Sequence, residues 1–210
     1  MSSLSYEANF NSNAPVRVGQ TVPDFEMDTF DPVEGGFGKM SLAENKKAKK
    51  WTVLVFYPAD YTFVCPTELA DVADQHTELT KAGAAVFSVS TDTNFVHMAW
   101  QREEKLLKNV KYPMAADPTG KVSRLFGVYD DASGLALRGT FIIAPDGKLA
   151  SGEVNFFNVG RNAAELLRKV QANAYLAKHP EEVCPANWKQ GGKTLKPGAQ
   201  MVGRVAEALK

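Results

Sequence analysis

The chain is poor in the residues that build metal sites and covalent frameworks. It has two cysteines, Cys65 and Cys184, and three histidines, His76, His97 and His179. The two thiols lie far apart in sequence, which rules out a disulfide framework and a CxxC pair, and no zinc-ligand spacing occurs. No metal and no cofactor are expected. In a reducing cytosol a structural bridge would be unusual, whereas a transient, catalytic one would not. Net charge is missing too. The 24 Lys and Arg balance the 24 Asp and Glu, so no field recruits nucleic acid or anionic membrane. The only basic cluster, Lys46-Lys47-Ala48-Lys49-Lys50, reads as a solvated turn. No apolar run is long enough to span a bilayer, and Met1 to Asn13 is polar, unlike a signal peptide. A cytoplasmic protein is expected.

What is present centres on Trp51 to Leu69, WTVLVFYPADYTFVCPTEL. The apolar run Trp51, Val53, Leu54, Val55, Phe56 predicts a buried strand. Pro58 cannot donate to a sheet ladder, so the strand stops at Tyr57-Pro58. A short loop then delivers Thr62 and Cys65. Pro66 and Glu68 suit the first turn of a helix, where Pro is tolerated and an acid meets the positive end of the dipole. Such a spot favours the thiolate, the reactive form of cysteine.

Elsewhere residues 1 to 20 show little periodicity and are expected as a loose arm. Pro23 to Met27 with Gly35 to Leu42 suggests an antiparallel hairpin at the sheet edge. The Cys65 helix should carry Leu69, Val72, Ala73, His76 and Leu79 on one face and end at Gly83. Ala84 to Ser90 reads as a second buried strand. A helix from Thr91-Asp92-Thr93 to Asn109 follows, with Val96, Ala99, Trp100 and Leu107 inward. Pro113 to Ala116 gives a short strand, and a brief helix runs to Leu125-Phe126. Gly139 to Ala144 pairs with Leu149 to Phe157 through the turn Pro145-Asp146-Gly147-Lys148. Asn162 and Glu165 form a capping box for a helix ending at His179-Pro180. This order predicts an α/β sandwich with a mixed central sheet, close to a thioredoxin-like core. After Pro180 the composition turns glycine-rich and cannot supply its own core. This extended C-terminal arm carries Cys184 and Trp188 and needs a surface to lie on, the preferred one being a second copy of the chain.

These residues carry a family resemblance. Pro58-x-x-x-Thr62-x-x-Cys65 resembles the active-site signature of the peroxiredoxins. With Glu182-Val183-Cys184-Pro185-Ala186-Asn187-Trp188 near the end, the chain is similar to the typical two-cysteine subgroup, and within it to the bacterial alkyl hydroperoxide reductase C group. The resemblance runs from about Val18 to Trp188. It implies a peroxidase domain over residues 1–180 and an arm over 181–210. Cys65 would be the peroxidatic and Cys184 the resolving cysteine, joined between subunits. Arg138 matches the family's active-site arginine, and Glu68 and Arg161 match its supporting positions. Homodimers made through an edge strand near Leu149 to Phe157, gathered into rings, are implied as well. So is a recycling reductase, either a flavoprotein or a thioredoxin-type dithiol protein. The GGLG insertion and Tyr-Phe terminal motif of overoxidation-sensitive members are not visible in KYPMAADPTG or VAEALK, so a robust enzyme is expected.

The chemistry fits those residues. When a thiolate attacks a hydroperoxide, negative charge grows on the leaving oxygen, and donors must face it. Arg138, the Thr62 hydroxyl and the Cys65 N–H are the candidates, with Pro58 shielding the sulfenic acid from water. The duller roles are an ion-pair arginine at 138, an N-cap at Thr62, a dipole residue at Glu68, and core packing for His97 and Trp100. Two other functions share the fold: a thiol–disulfide oxidoreductase, which would want a second Cys near Cys65, and a holdase-type oligomer needing neither thiol.

Overall fold

The computed structural model describes residues 14–209, so the expected N-terminal arm falls outside it as far as residue 13. Nine strands form. They are β1 (Glu26–Asp31), β2 (Gly36–Ser41), β3 (Trp51–Phe56), β4 (Ala84–Ser90), β5 (Met114–Ala116), β6 (Tyr129–Asp130), β7 (Leu135–Ala136), β8 (Arg138–Ile143) and β9 (Leu149–Asn155). Seven make one mixed sheet in the order β2-β1-β5-β4-β3-β8-β9, while β6 and β7 pair only with each other. The helices are α1 (Leu42–Lys47), α2 (Cys65–Lys81), α3 (Asn94–Glu103), α4 (Lys121–Leu125), α5 (Ala163–Leu176) and α6 (Val205–Ala208). No helix among the described residues is long and apolar enough to cross a membrane.

The sheet is organised by β3, which is buried along its whole length. It lies parallel to β4 and antiparallel to β8. Because strand side chains alternate, β3 feeds two cores. Val53 and Val55 pack with Leu69, Val72 and Leu79 of α2 and with Leu166 and Val170 of α5. Leu54 and Phe56 face the other way, against Phe87, Phe126 and Phe141. Each such fully buried side chain contributes about 1.5–3 kcal/mol. Covering both faces is why β3 reads as a nearly continuous apolar run, interrupted only by Thr52.

The hairpin β8–β9 forms on the expected turn, where Gly147 takes φ +87° and its N–H bonds Ala144 O at 2.8 Å. The strand β9 stops at Asn155, two residues short of the expectation, because the chain turns so that Phe157 O accepts from Arg138. The hairpin β1–β2 lies at the sheet edge as expected, but its first strand runs Glu26–Asp31 rather than Pro23 to Met27.

Three expectations need correction, and two elements were not anticipated. The helix read to Asn109 ends at Glu103; Glu104 is extended and its carboxylate accepts from Leu106 N, starting a separate 3₁₀ turn over Lys105–Asn109. Trp100 and Leu107 stay buried across that break, so apolar spacing could not reveal it. Residues 16–22 are tied down rather than loose: Val16 N bonds Leu125 O, Gly19 N bonds Leu149 O, and Thr21 bridges Lys148. The capping box is half made, since Asn162 Oδ1 accepts from Ala164 N and Glu165 N while Glu165 turns to Arg168. Short α1 and the β6–β7 hairpin went unread, the first because only its Leu42 is buried.

The arm after α5 lies along that helix in its own chain. Val183 bridges Leu195, and Trp188 is buried with its ring 5.2 Å from that of Tyr175.

Candidate active site

Cys65 is the first residue of α2 and wholly buried. The residue before it, Val64, takes the N-cap position without a side-chain cap bond, and its carbonyl accepts from Thr67 N (3.1 Å) and Glu68 N (3.3 Å). Thr62 therefore does not cap the helix, contrary to one expectation. Its hydroxyl lies 2.8 Å from Cys65 Sγ and 2.8 Å from Ala59 O. One proton can serve only one of these at a time. Held by Ala59, it leaves the oxygen free to accept from a thiol; turned to the sulfur, it donates to a thiolate.

The second contact to the sulfur comes from the far side of β3. Arg138 opens β8, and its Nη1 stands 3.3 Å from Cys65 Sγ. That guanidinium is fixed by two acceptors, Phe157 O at 2.6 Å from Nε and Glu68 Oε2, which Nη1 also approaches closely. Gly139 follows Arg138, and a Cβ there would sit 2.8 Å from Val128 Cγ1, so only glycine lets β8 settle this deep. The other Glu68 oxygen accepts from Arg161 N (2.9 Å) and Nε (2.8 Å). Arg161 Nη1 reaches Gly139 O at 2.7 Å and Thr140 Oγ1 at 3.1 Å.

All three ionic side chains are almost completely buried. Two guanidinium cations against one carboxylate leave a positive charge without a counter-ion. Buried charge of that kind is costly unless balanced. Cys65 Sγ, 3.3 Å from Arg138 Nη1, is the group placed to face that charge.

Pro58 is buried at the end of β3 and opens the loop to Cys65. Sequence reasoning missed what holds this loop. Asp60 is buried, with Oδ1 accepting from Tyr57 Oη at 2.6 Å and Oδ2 2.7 Å from His97 Nδ1. The other His97 nitrogen faces Ala115 O at 3.1 Å. Asp60 N donates to Asp92 Oδ2 at 2.9 Å, which also accepts from Ser90 Oγ. Burial raises the Asp60 carboxyl above its ordinary range, and the bond to His97 opposes it. Tyr61 takes φ +55°, a left-handed conformation unusual outside glycine. The signal was there to read: a lone Asp in an apolar neighbourhood and a His on the apolar face of α3. His97 is thus core, as read, but polar core with a task.

Cys184 stands apart. It is half-buried on the arm, and both cysteines are free thiols. Burial pushes the Cys184 thiol up, and nearby Arg168 pulls against that. The site therefore unites Cys65, Thr62, Glu68, Arg138 and Arg161, with Pro58 in the loop beside them, but does not bring Cys184 to Cys65. Among the described residues no group of His, Cys, Asp or Glu is arranged to hold a metal ion.

Comparison with known proteins decides the family. Residues 18–151 match the model described as the AhpC/TSA family. The chain belongs to that family. Residues 175–208, which include Cys184, match the C-terminal domain of 1-Cys peroxiredoxin. The alkyl hydroperoxide reductase C of Staphylococcus aureus is 45% identical over 188 residues, 90% of this chain and 98% of the relative. Among solved structures, Enterococcus faecalis AhpC superposes with a TM-score of 0.76 at 42% identity, covering 81% of this chain and 99% of that one. The reduced 2-Cys peroxiredoxin of Plasmodium vivax gives 0.83 at 30% identity, covering 90% and 100%. As a peroxiredoxin the chain is a thiol-dependent peroxidase with a thioredoxin-like fold.

Proposed function

We propose that this peroxiredoxin reduces hydrogen peroxide and organic hydroperoxides through a sulfenic acid on Cys65, which Cys184 of a second copy then resolves. The observation that carries the reading is a buried sulfur held between the Thr62 hydroxyl and the Arg138 guanidinium at a helix start. The Cys65 thiolate attacks one peroxide oxygen; the S–O bond forms as the O–O bond breaks. Sulfur loses two electrons and the peroxide gains them, leaving as an alkoxide or hydroxide that takes a proton from water. Arg138, Thr62 and the Cys65 N–H, which has no partner within α2, face the growing charge. Glu68 and Arg161 act as positioning residues for Arg138, and Pro58 keeps water from the sulfenic acid.

Resolution joins the two sulfurs and releases the sulfenic oxygen as water. An external dithiol, of a flavoprotein or thioredoxin-type protein, then reduces the disulfide. The first turn of α2 supports the required movement: its N-cap residue, Val64, makes no side-chain bond to the unpaired N–H groups of that turn. We take it to unwind after oxidation, freeing Cys65. Pairing between copies is supported by β9, the outermost strand, where Val154 is exposed, with Phe156 and Val159 just beyond it. Exposed Phe37, Phe63 and Phe95 give such dimers a second apolar surface from which to build rings. A reducing cytoplasm suits thiols that must return to the free state.

Substituting each cysteine tests the scheme. Cys65→Ser is expected to abolish hydroperoxide consumption. Cys184→Ser should consume one equivalent per site and form no disulfide between chains on a non-reducing gel. Full recycling by Cys184→Ser would remove Cys184 from the reaction, and undiminished consumption by Cys65→Ser would end the proposal.

A further inference from the structure

The arm that carries Cys184 is closed on itself by contacts on both sides of the thiol. Glu182, two residues before it, sets Oε2 against Tyr175 Oη of α5 (2.8 Å) and against Thr194 Oγ1 on the arm's returning limb. Next to it, Val183 N donates to Leu195 O (2.8 Å) and Leu195 N to Val183 O (3.0 Å). Trp188 Nε1 donates to Gly192 O at 3.1 Å inside the loop so formed. One carboxylate thus gathers three pieces of chain: the helix, the outgoing limb and the returning limb. Two hydroxyl donors on an anionic acceptor are among the stronger hydrogen bonds. In keeping with this, Thr194 first and Tyr175 second hold the Glu182 carboxyl below its usual range, and Glu182 raises the Tyr175 phenol.

We propose that Glu182, with Tyr175 and Thr194, is a latch that positions Cys184 in the reduced chain and opens for resolution. This rests on the reading of Cys184 as the resolving thiol. The reason is geometric. A disulfide needs its two Cα atoms within about 7 Å, while Cys65 lies buried at the start of α2 and Cys184 is fixed in a loop clamped to α5. Contacts that stabilise the closed arm stabilise the state before resolution and are lost in reaching the disulfide. Weakening the latch therefore speeds resolution and leaves peroxide attack on Cys65 unchanged.

The test uses the full chain, hydrogen peroxide as oxidant and rapid acid quench with mass spectrometry. Glu182→Ala is expected to form the disulfide about fivefold faster and Thr194→Val about twofold faster, the scale of a partly exposed bond to a charged acceptor. Glu182→Gln should fall between wild type and Glu182→Ala, since its amide oxygen still accepts both hydroxyls. Sulfenic acid formation keeps its wild-type rate in all three. In the reduced protein, iodoacetamide should label Cys184 faster in the same order. Resolution at the wild-type rate or slower overturns the latch. Should wild-type Cys184 never bond Cys65, the underlying reading fails instead. Labelling then decides alone: the same order supports the latch, and equal rates overturn it.

Discussion

The two cysteines occupy regions built on opposite plans. Cys65 is wholly buried where a helix start, the first residue of the interior strand β8 and a pinned loop meet, and its sulfur touches Thr62 and Arg138. Cys184 is half-buried on a segment with one backbone bridge, one side-chain hydrogen bond to α5 and the packing of Trp188 against Tyr175. The first environment fixes a reacting atom to fractions of an ångström by building on rigid elements. The second holds a thiol by contacts that can be given up without disturbing the core. On the proposed scheme, a thiol that reacts with a small oxidant and one that travels to meet it need these different supports.

Stability separates the two regions most widely. Leu54→Ala, in the fully buried β3, should cost about 2–5 kcal/mol, read as a lowered midpoint in denaturant. Trp188→Ala should leave global stability within about 0.5 kcal/mol of wild type while exposing the arm to protease, because the arm is no part of either core. A large global loss from Trp188→Ala would erase the distinction. Next comes the loop support. His97→Ala leaves Asp60 buried without its imidazole partner, which should cost about 2–3 kcal/mol. A double-mutant cycle with Asp60→Asn should show coupling, and additivity would contradict the pairing. Thr62→Val removes a donor from the sulfur and should slow sulfenic acid formation about tenfold, with Thr62→Ser near wild type.

The smallest effect is an acid response of the arm. Thr194 and Tyr175 lower the folded carboxyl of Glu182 below its unfolded value. The latch is thus fully present above the unfolded value and lost as pH falls through the lower, folded one. Exchange at the Val183 and Leu195 amides, corrected for intrinsic rates, should rise over that interval in wild type. Glu182→Gln should show no such step; an equal step in that variant would place the titrating group elsewhere.

Much of the Cys65 region could be read before any coordinates, because its parts are local. The apolar run of β3, the stop at Pro58 and the Pro66–Glu68 helix start lie within one stretch of sequence. Arg138 and Arg161 could not be found that way. Their link to Glu68 spans 70 and 93 positions, and only family resemblance pointed to them. The Asp60–His97 pair, 37 positions apart, left a fainter trace. Polar residues inside an apolar pattern say that a partner exists without saying which. The arm was legible only as a segment without a core of its own. Its closure depends on one pairing, Val183 with Leu195, and on hydroxyl bonds that follow no periodicity.

The central claim is that the Arg138 guanidinium balances the buried sulfur and receives the departing oxygen. Its most direct test is stopped-flow oxidation of Cys65 by hydrogen peroxide in wild type and in Arg138→Gln, with thermal stability measured alongside. Loss of that charged donor should slow sulfenic acid formation about 100-fold or more in a folded protein. A variant that folds and reacts within about twofold of wild type would contradict the account.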